Sequence, residues 1–267
     1  MKTIGMIAGN GRFPFLVAQE IKKQGDKVVA VALKEEADKD IENFCDETVW
    51  LSVGKIQKII DTFKSRNIDT AIMVGQVKHA KIYSAITMDL RALKIMTSLV
   101  NKKTDTILGA VVREFEKDGI KFLPSHIYLK HLLAQKGLIV GRKLNSDEYK
   151  DAEFGFKMAK DIAGLDIGQT VVVKDKSVLA VESIEGTDEC IKRAYSLGGE
   201  NAIVVKVAKP NQDFRFDVPV IGTRTVDTLK DNRIRAMVIE ADSTLILDKD
   251  LVIEKAKQAD ITIIAMQ

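Results

Sequence analysis

The side chains best suited to chemistry fall in one stretch, running from Lys206 through Lys209, Pro210, Gln212, Asp213, Arg215, Asp217 and Pro219 to Gly222. It leaves an apolar run and enters a helix near Thr223, yet it interleaves Lys, Gln, Arg and Asp with bulky apolar residues. A solvated linker has no need of that mixture. Lys206, Lys209 and Arg215 supply positive charge, and an arginine grips phosphate oxygens in a bidentate fork. Gly222 and Thr223 at a helix start offer amide donors. Asp217, between Phe216 and Val218, is partly desolvated and suited to holding Mg²⁺ or orienting a nucleophile. The same residues also read as a braced loop in which Asp217 pairs internally with Arg215 or a lysine, and residue chemistry alone leaves both readings open.

A second candidate is the turn Gly9-Asn10-Gly11 after the first apolar run. In a doubly wound fold this turn sets a phosphate against a helix N-terminus, because small residues let backbone amides approach an anion. Asn10 and Arg12 add donors. Pro14 occupies the place of the third glycine of a dinucleotide fingerprint, while Glu35 and Glu36 follow the second apolar run, where a ribose-binding acid sits. An NAD site is therefore weakened but left open, beside the plainer reading that the glycines only turn the chain. Gly75 and Gln76 end another apolar run at the same expected sheet edge. Lys78, His79 and Lys81 follow, either facing phosphate or forming a solvated basic loop.

A third signal is Glu185-Gly186-Thr187-Asp188. Thr187 is placed to cap a helix whose dipole favours Asp188, which leaves Glu185 as the residue needing a further explanation, as a cleft-lining acid or metal ligand. Asp166, Gly168 and Gln169, just before a predicted hairpin, read as a turn or as a further piece of a site. Other chemistries fail. His79, His126 and His131 lack metal-ligand spacing, and there is no GxSxG elbow and no GxxxxGK[ST] loop. Cys45 and Cys190 are far apart and read as reduced, buried thiols.

The elements that must position these residues follow from periodicity. Strands are predicted at Thr3–Ala8, Lys27–Leu33 and Asp69–Val74, and helices with the apolar face Phe13, Leu16, Val17 and Ile21, closed by Gly25, and around Ile56, Ile59, Ile60 and Phe63, whose spacing is one helical face. Thr104 or Asp105 is expected to cap a helix with the stripe Leu108, Val111, Val112 and Phe115. The rhythm weakens between Pro124 and Arg142. Asn145 with Glu148 then signals a capping box, and Thr170–Val173 with Ser177–Val181 a hairpin. A helix from Thr187 to Leu197 precedes strands at Ala202–Val207, Ala236–Glu240, Thr244–Leu247 and Ile261–Ala265, with helices near Arg224–Asn232 and Asp250–Gln258. The expected fold class is α/β in two lobes: an N-terminal Rossmann-like domain with a mainly parallel sheet (1–124), a linker (125–144), and a smaller mixed-sheet α/β domain (145–267) carrying the loop around Asp217.

The 267 residues, 46% hydrophobic and 30% charged, suit a globular protein. The 41 basic and 38 acidic residues give a net charge of +3 and no concentrated basic tract, and aromatic residues are 6%, so a nucleic-acid partner is not expected. No run approaches the ~20 apolar residues of a membrane span, and the opening MKTIGMIAGNGRF is too short in apolar residues for a signal peptide.

In order and spacing these segments resemble the LpxI-type UDP-2,3-diacylglucosamine pyrophosphohydrolases. The resemblance rests on IGMIAGNGRFP, Gly75 at a strand end, TDTILGAVVREFEKDG, DIGQ, LAVE, EGTD and AKP-x-Q-x-x-R-x-D-x-P-x-IG, and it spans essentially the whole chain. It implies two α/β lobes clamped on an amphipathic sugar-nucleotide lipid. It implies hydrolysis to 2,3-diacylglucosamine 1-phosphate and UMP in lipid A biosynthesis, with Mg²⁺ or another divalent cation and water attacking the phosphorus nearer the sugar. The family's essential aspartate falls on Asp217. Substrate-binding roles are expected for Gly9, Asn10, Gly11, Gly75, Gln76, Gln169, Glu185, Gly186, Thr187, Lys209, Gln212 and Arg215, with Asp217 and Glu185 as candidate metal ligands. A cytoplasmic location with transient contact to the inner membrane surface, and a homodimer, complete the expectation. The alternatives are an NAD-dependent oxidoreductase and a non-catalytic nucleotide- or lipid-binding module.

Overall fold

The computed structural model describes residues 1–77, 88–101 and 103–267; Lys78, His79 and Lys81 lie outside the described residues. The chain forms two compact units, Met1–Leu129 with Asp213–Asp217, and Lys130–Gln212 with Val218–Gln267. The short segment that carries Asp213, Arg215 and Asp217 thus packs with the first unit although the sequence on both sides of it belongs to the second.

The first unit is built on a parallel five-stranded sheet in the order β3-β2-β1-β4-β5: β1 Thr3–Ala8, β2 Lys27–Leu33, β3 Glu47–Leu51, β4 Thr70–Val74 and β5 Lys121–Phe122. Strands β1 and β2 are continuously apolar because both faces of a parallel sheet are covered. Ile7, Val29 and Val31 join one core with helix α2 (Ile56–Lys64) and helix α4 (Thr104–Glu116), including Ile60, Phe63, Val112 and Phe115. Helix α1 (Phe13–Lys23) packs against β2 and buries Phe13, Phe15, Val17, Ala18 and Ile21, with Pro14 in its first turn. Helix α3, Leu90–Ser98, and strand β3 were not foreseen. In α4, Thr104 is the first helical residue and Lys103 the cap position, and Ile107 rather than Leu108 is buried.

The second unit carries a mixed six-stranded sheet in the order β6-β13-β11-β9-β7-β8: β6 Gly137–Val140, β7 Thr170–Lys174, β8 Ser177–Val181, β9 Ile203–Lys206, β11 Ala236–Glu240 and β13 Thr262–Met266. Strands β9, β11 and β13 are parallel, and β6 and β7 run antiparallel to their neighbours. A separate parallel pair joins β10 (Val220–Ile221) to β12 (Leu245–Ile246). The two units are nearly equal in length, and the sheet of the second has one strand more. Strand β6 lies inside the segment expected as linker: Leu138, Ile139 and Val140 are apolar enough to add an edge to β13.

Helix α5 (Ser146–Gly164) opens on the expected capping box, in which Asn145 Oδ1 accepts from the Glu148 amide and Glu148 Oε2 accepts from the Asn145 amide, both at 2.9 Å. Its buried face is Ala152, Gly155, Ala159 and Ala163. Such small residues let the helix lie close on the sheet: a Cβ at Gly155 would stand 2.7 Å from Val205 Cγ2. The hairpin turn between β7 and β8 places Asp175 and Lys176 at φ of 50° and 54°, the pattern of a type I′ turn. Helix α6 (Thr187–Ser196), helix α7 (Thr223–Asp231) and helix α8 (Lys249–Gln258) complete the unit. In α6 Cys190, Ile191 and Ala194 are buried, while Tyr195 is 37% exposed.

Candidate active site

The loop after β9 is anchored at its start. Lys160 Nζ donates to the Ala208 carbonyl at 2.9 Å and to both Glu240 carboxylate oxygens at 3.0 Å, and the Ala208 amide donates to Glu240 Oε2 at 2.8 Å. Sequence reading missed this clamp; its one visible signal was a carboxylate closing the apolar run Ala236–Glu240. Lys209 Nζ pairs with Asp166 at 2.7 Å, and the Lys209 amide donates to Gln212 Oε1 at 2.8 Å. The segment with Asp166, Lys209 and Gln212 therefore forms one bonded group. Asp166 sits at a left-handed φ of 59°, a conformation Asp tolerates in turns.

Asp213–Asp217 is held against the first unit by Ser125. Its amide donates to the Phe214 carbonyl at 2.7 Å, and its hydroxyl lies 2.7 Å from the Met73 carbonyl oxygen and 2.8 Å from that of Arg215. The His126 and Phe214 rings meet edge-on at 5.2 Å, and Phe216 packs against the core of the unit. Arg215 closes its fork on Asp213, with Nε at 3.0 Å from Oδ1 and Nη2 at 2.8 Å from Oδ2, and its Nη1 pairs with Glu116 at 3.1 Å. These hydrogen bonds hold the Asp213 carboxyl below its usual value and raise the guanidinium of Arg215. Arg215 is thus braced by Asp213 and Glu116. Asp217 itself is half-buried, and its amide donates to the Asp213 carbonyl at 3.1 Å, fixing its backbone at the end of the turn.

In the glycine turn, the Gly9 amide donates to the Val74 carbonyl and the Asn10 amide to the Gln76 carbonyl, each at 2.8 Å, and the Gln76 amide returns to the Asn10 carbonyl at 2.9 Å. Two amides counted on for an anion are thus engaged within the protein. The glycines are required by close approach: a Cβ on Gly9 would lie 2.6 Å from the Gln76 oxygen, and one on Gly75, at φ of 90°, 2.8 Å from the Asn10 oxygen. Sequence reading placed Gly9, Asn10, Gly75 and Gln76 at one sheet edge, and the structure joins them directly.

The third group gathers on β7, β8, β9 and α6. Gly186, at φ of 86°, is the cap position of α6, so Thr187 is its first residue and not its cap. The Thr187 hydroxyl donates to Glu182 Oε1 at 2.9 Å and accepts from Lys206 Nζ at 3.1 Å. Glu182 also accepts from the Gln169 amide at 3.3 Å, and Gly168 is admitted because a Cβ there would stand 2.0 Å from the Glu182 carbonyl oxygen. A cation, a hydroxyl, a carboxylate and a helix N-terminus thus meet at one point. Glu185, by contrast, pairs with Arg193 at 2.6 Å and accepts from the Ser183 amide at 3.1 Å; the arginine hydrogen bond keeps its carboxyl below the usual value. Asp188 bridges to α7, accepting from Arg224 at 2.8 Å and Thr228 at 3.2 Å.

Among the described residues no three His, Cys, Asp or Glu side chains form a metal cage. Mg²⁺ does not need one: it keeps several waters and is commonly bound by one or two carboxylates together with substrate phosphate. The half-buried Asp217 fits such a partial site. Among the described residues no helix is long and apolar enough to cross a membrane.

Residues 3–132 match the family model described as the LpxI N-terminal domain, and residues 135–264 the one described as the LpxI C-terminal domain. A curated relative, the UDP-2,3-diacylglucosamine pyrophosphatase LpxI of Caulobacter vibrioides, is 29% identical over 267 residues, covering 96% of this chain and 94% of that protein. Among solved structures, phosphoribosylglycinamide synthetase from Anaerococcus prevotii matches 72% of this chain and 35% of its own, with 14% identity and a TM-score of 0.29. An N5-carboxyaminoimidazole ribonucleotide synthetase from Thermotoga maritima matches 68% and 41%, with 16% identity and a TM-score of 0.27. The chain spans less than half of either structure, and likeness at that level carries no argument.

Proposed function

Because this chain belongs to the LpxI family, we propose that it hydrolyses the pyrophosphate bond of UDP-2,3-diacylglucosamine, releasing 2,3-diacylglucosamine 1-phosphate and UMP for lipid A biosynthesis. The observation that carries the reading is the match of both LpxI domains, end to end, over residues 3–132 and 135–264. The site's chemistry agrees with it. Diphosphate hydrolysis needs cationic and hydrogen-bonding groups for the phosphate oxygens and a carboxylate to place water or metal, and it needs no covalent nucleophile.

In this reading Asp217 holds the attacking water or the metal, and the turn closed by Asp213 and Ser125 fixes its position before substrate arrives. Lys209 and Gln212 stiffen the approach to the turn, and Arg215 acts through Asp213 and not by direct contact. Water attacks the phosphorus nearer the sugar, so that UMP departs. Mg²⁺, when bound by Asp217 together with the diphosphate, would neutralise phosphate oxygens and polarise the phosphoryl group. The acylated substrate lies in a membrane, so the enzyme works at the cytoplasmic surface of the inner membrane by transient contact.

The test is UMP release from UDP-2,3-diacylglucosamine in neutral detergent micelles with Mg²⁺, read against Asp217→Ala. Turnover by the parent chain and binding without turnover by the variant support the reading; absence of UMP under those conditions removes it.

A further inference from the structure

The second unit bears a groove of about 620 Å³ on the outer side of edge strand β6 and helix α5, which none of the chemistry above uses. Its floor is apolar, formed in part by Leu138, Leu144, Tyr149 and Phe156. Leu138 and Tyr149 are 48% and 47% exposed. The rim is basic, with the side chains of Lys136, Lys143 and Lys157 against that of Glu153. The groove follows from local structure. The small face of α5 turns Ala152, Gly155 and Ala159 to the sheet, which leaves Tyr149, Glu153, Phe156 and Lys157, at helical spacings of 4, 3 and 1, on the outer side.

We infer that this groove is where the protein docks on an anionic phospholipid surface. An apolar floor ringed by lysines complements acyl chains beneath negative headgroups: the lysine stems cover apolar surface while the ammonium groups reach outward, and tyrosine favours the interfacial depth. A second copy of the chain is disfavoured by the same charges. Lys136 and Lys143 flank β6 at both ends, the placement that blocks edge-to-edge strand pairing, and a two-fold contact would bring like charges together. The inference leans on the proposed reaction only for the reason a membrane is near; the docking itself stands on the groove.

The experiment uses the full chain and vesicles. Flotation is measured with vesicles of equal parts phosphatidylglycerol and phosphatidylcholine, and with phosphatidylcholine alone. Binding is expected to the first, weakening as salt rises from about 0.1 M to about 0.5 M. With each lysine worth about five-fold in partition, reversing Lys136, Lys143 and Lys157 to Glu is expected to lower binding at least about a hundred-fold. Reversing the exposed Lys176, Lys230 and Lys257 elsewhere on the unit should change it little. Leu138→Ser should weaken binding while leaving its salt dependence in place. UMP release in neutral micelles should stay within about two-fold in every variant, which shows that each folds and separates failed docking from failed catalysis. Anionic vesicle binding that survives the triple reversal overturns the inference. So does a dimer in sedimentation that Leu138→Ser dissolves, since that would give the groove to a second copy.

Discussion

Arg215 grips Asp213, two residues before it, through a two-pronged contact of 3.0 and 2.8 Å, and the carbonyl of that same Asp213 accepts the Asp217 amide at 3.1 Å. One aspartate thus braces the turn that presents the other. Asp213→Asn keeps the backbone bonds but weakens the guanidinium grip. The expected result is a fall in kcat of about ten-fold with little change in KM and less than about 1 kcal/mol of stability, because the pair is about one-third exposed. Steady-state kinetics together with urea unfolding check it; an unchanged kcat would show that the brace is irrelevant to turnover.

Asp217→Asn removes the charge and keeps the shape. If this carboxylate places water or metal, turnover should drop by about 10²- to 10⁴-fold, the usual range for a positioned acid–base or electrostatic group. The urea midpoint should hardly move. The pairing of lost rate with retained stability is the readout, since a merely structural aspartate would lose both.

Glu148 is held at about 2, against 4.5 for an ordinary glutamate, chiefly by hydrogen bonds from Arg142. Its folded value is depressed, so the unfolded chain binds the extra proton first as pH falls. The stabilisation is complete above pH 4.5 and fades toward pH 2. Because Arg142 is 43% exposed, the whole contribution, cap included, is about 1 kcal/mol. Glu148→Gln should lower the urea midpoint at pH 7 and approach the parent chain near pH 2.5.

Gly75→Ala imposes a side chain at φ of 90° and within 2.8 Å of the Asn10 carbonyl oxygen. No flexible neighbour can yield there, so a loss of about 2–4 kcal/mol is expected. Gly155→Ala meets Val205 and Val173 methyl groups at 2.7 and 2.9 Å, but regains about 1 kcal/mol of helix propensity. It should be the milder of the two. Chemical denaturation ranks them, and the reverse order would refute the close-approach account.

Burial pushes the Cys45 thiol up to about 11 and Cys190 to about 12. At pH 8 only about a thousandth of Cys45 is thiolate. Iodoacetamide at that pH should leave activity intact and modify neither cysteine until the chain is unfolded, as followed by mass spectrometry.

The amino-acid order alone determined most of the repeating structure. Ile56, Ile59, Ile60 and Phe63 wrote their own helix, Asn145 and Glu148 their own cap, and the runs Lys27–Leu33 and Ala236–Glu240 their own buried strands, because these signals act within a few residues. The short strand β6 was hidden in an apparent linker, since four residues show no period and only the partner strand β13 makes them a strand. The site divided in the same way. The loop from Lys206 to Gly222 and the Gly9 and Gly75 turns were legible as unusual residue mixtures. Which charge meets which was decided by the fold. Arg215 turned to Asp213 and Glu116, Glu185 to Arg193, Thr187 to Glu182 and Lys206, and Ser125 reached across 90 positions to Arg215. Charges select partners by distance in space, and a chain written in one dimension carries no measure of that distance.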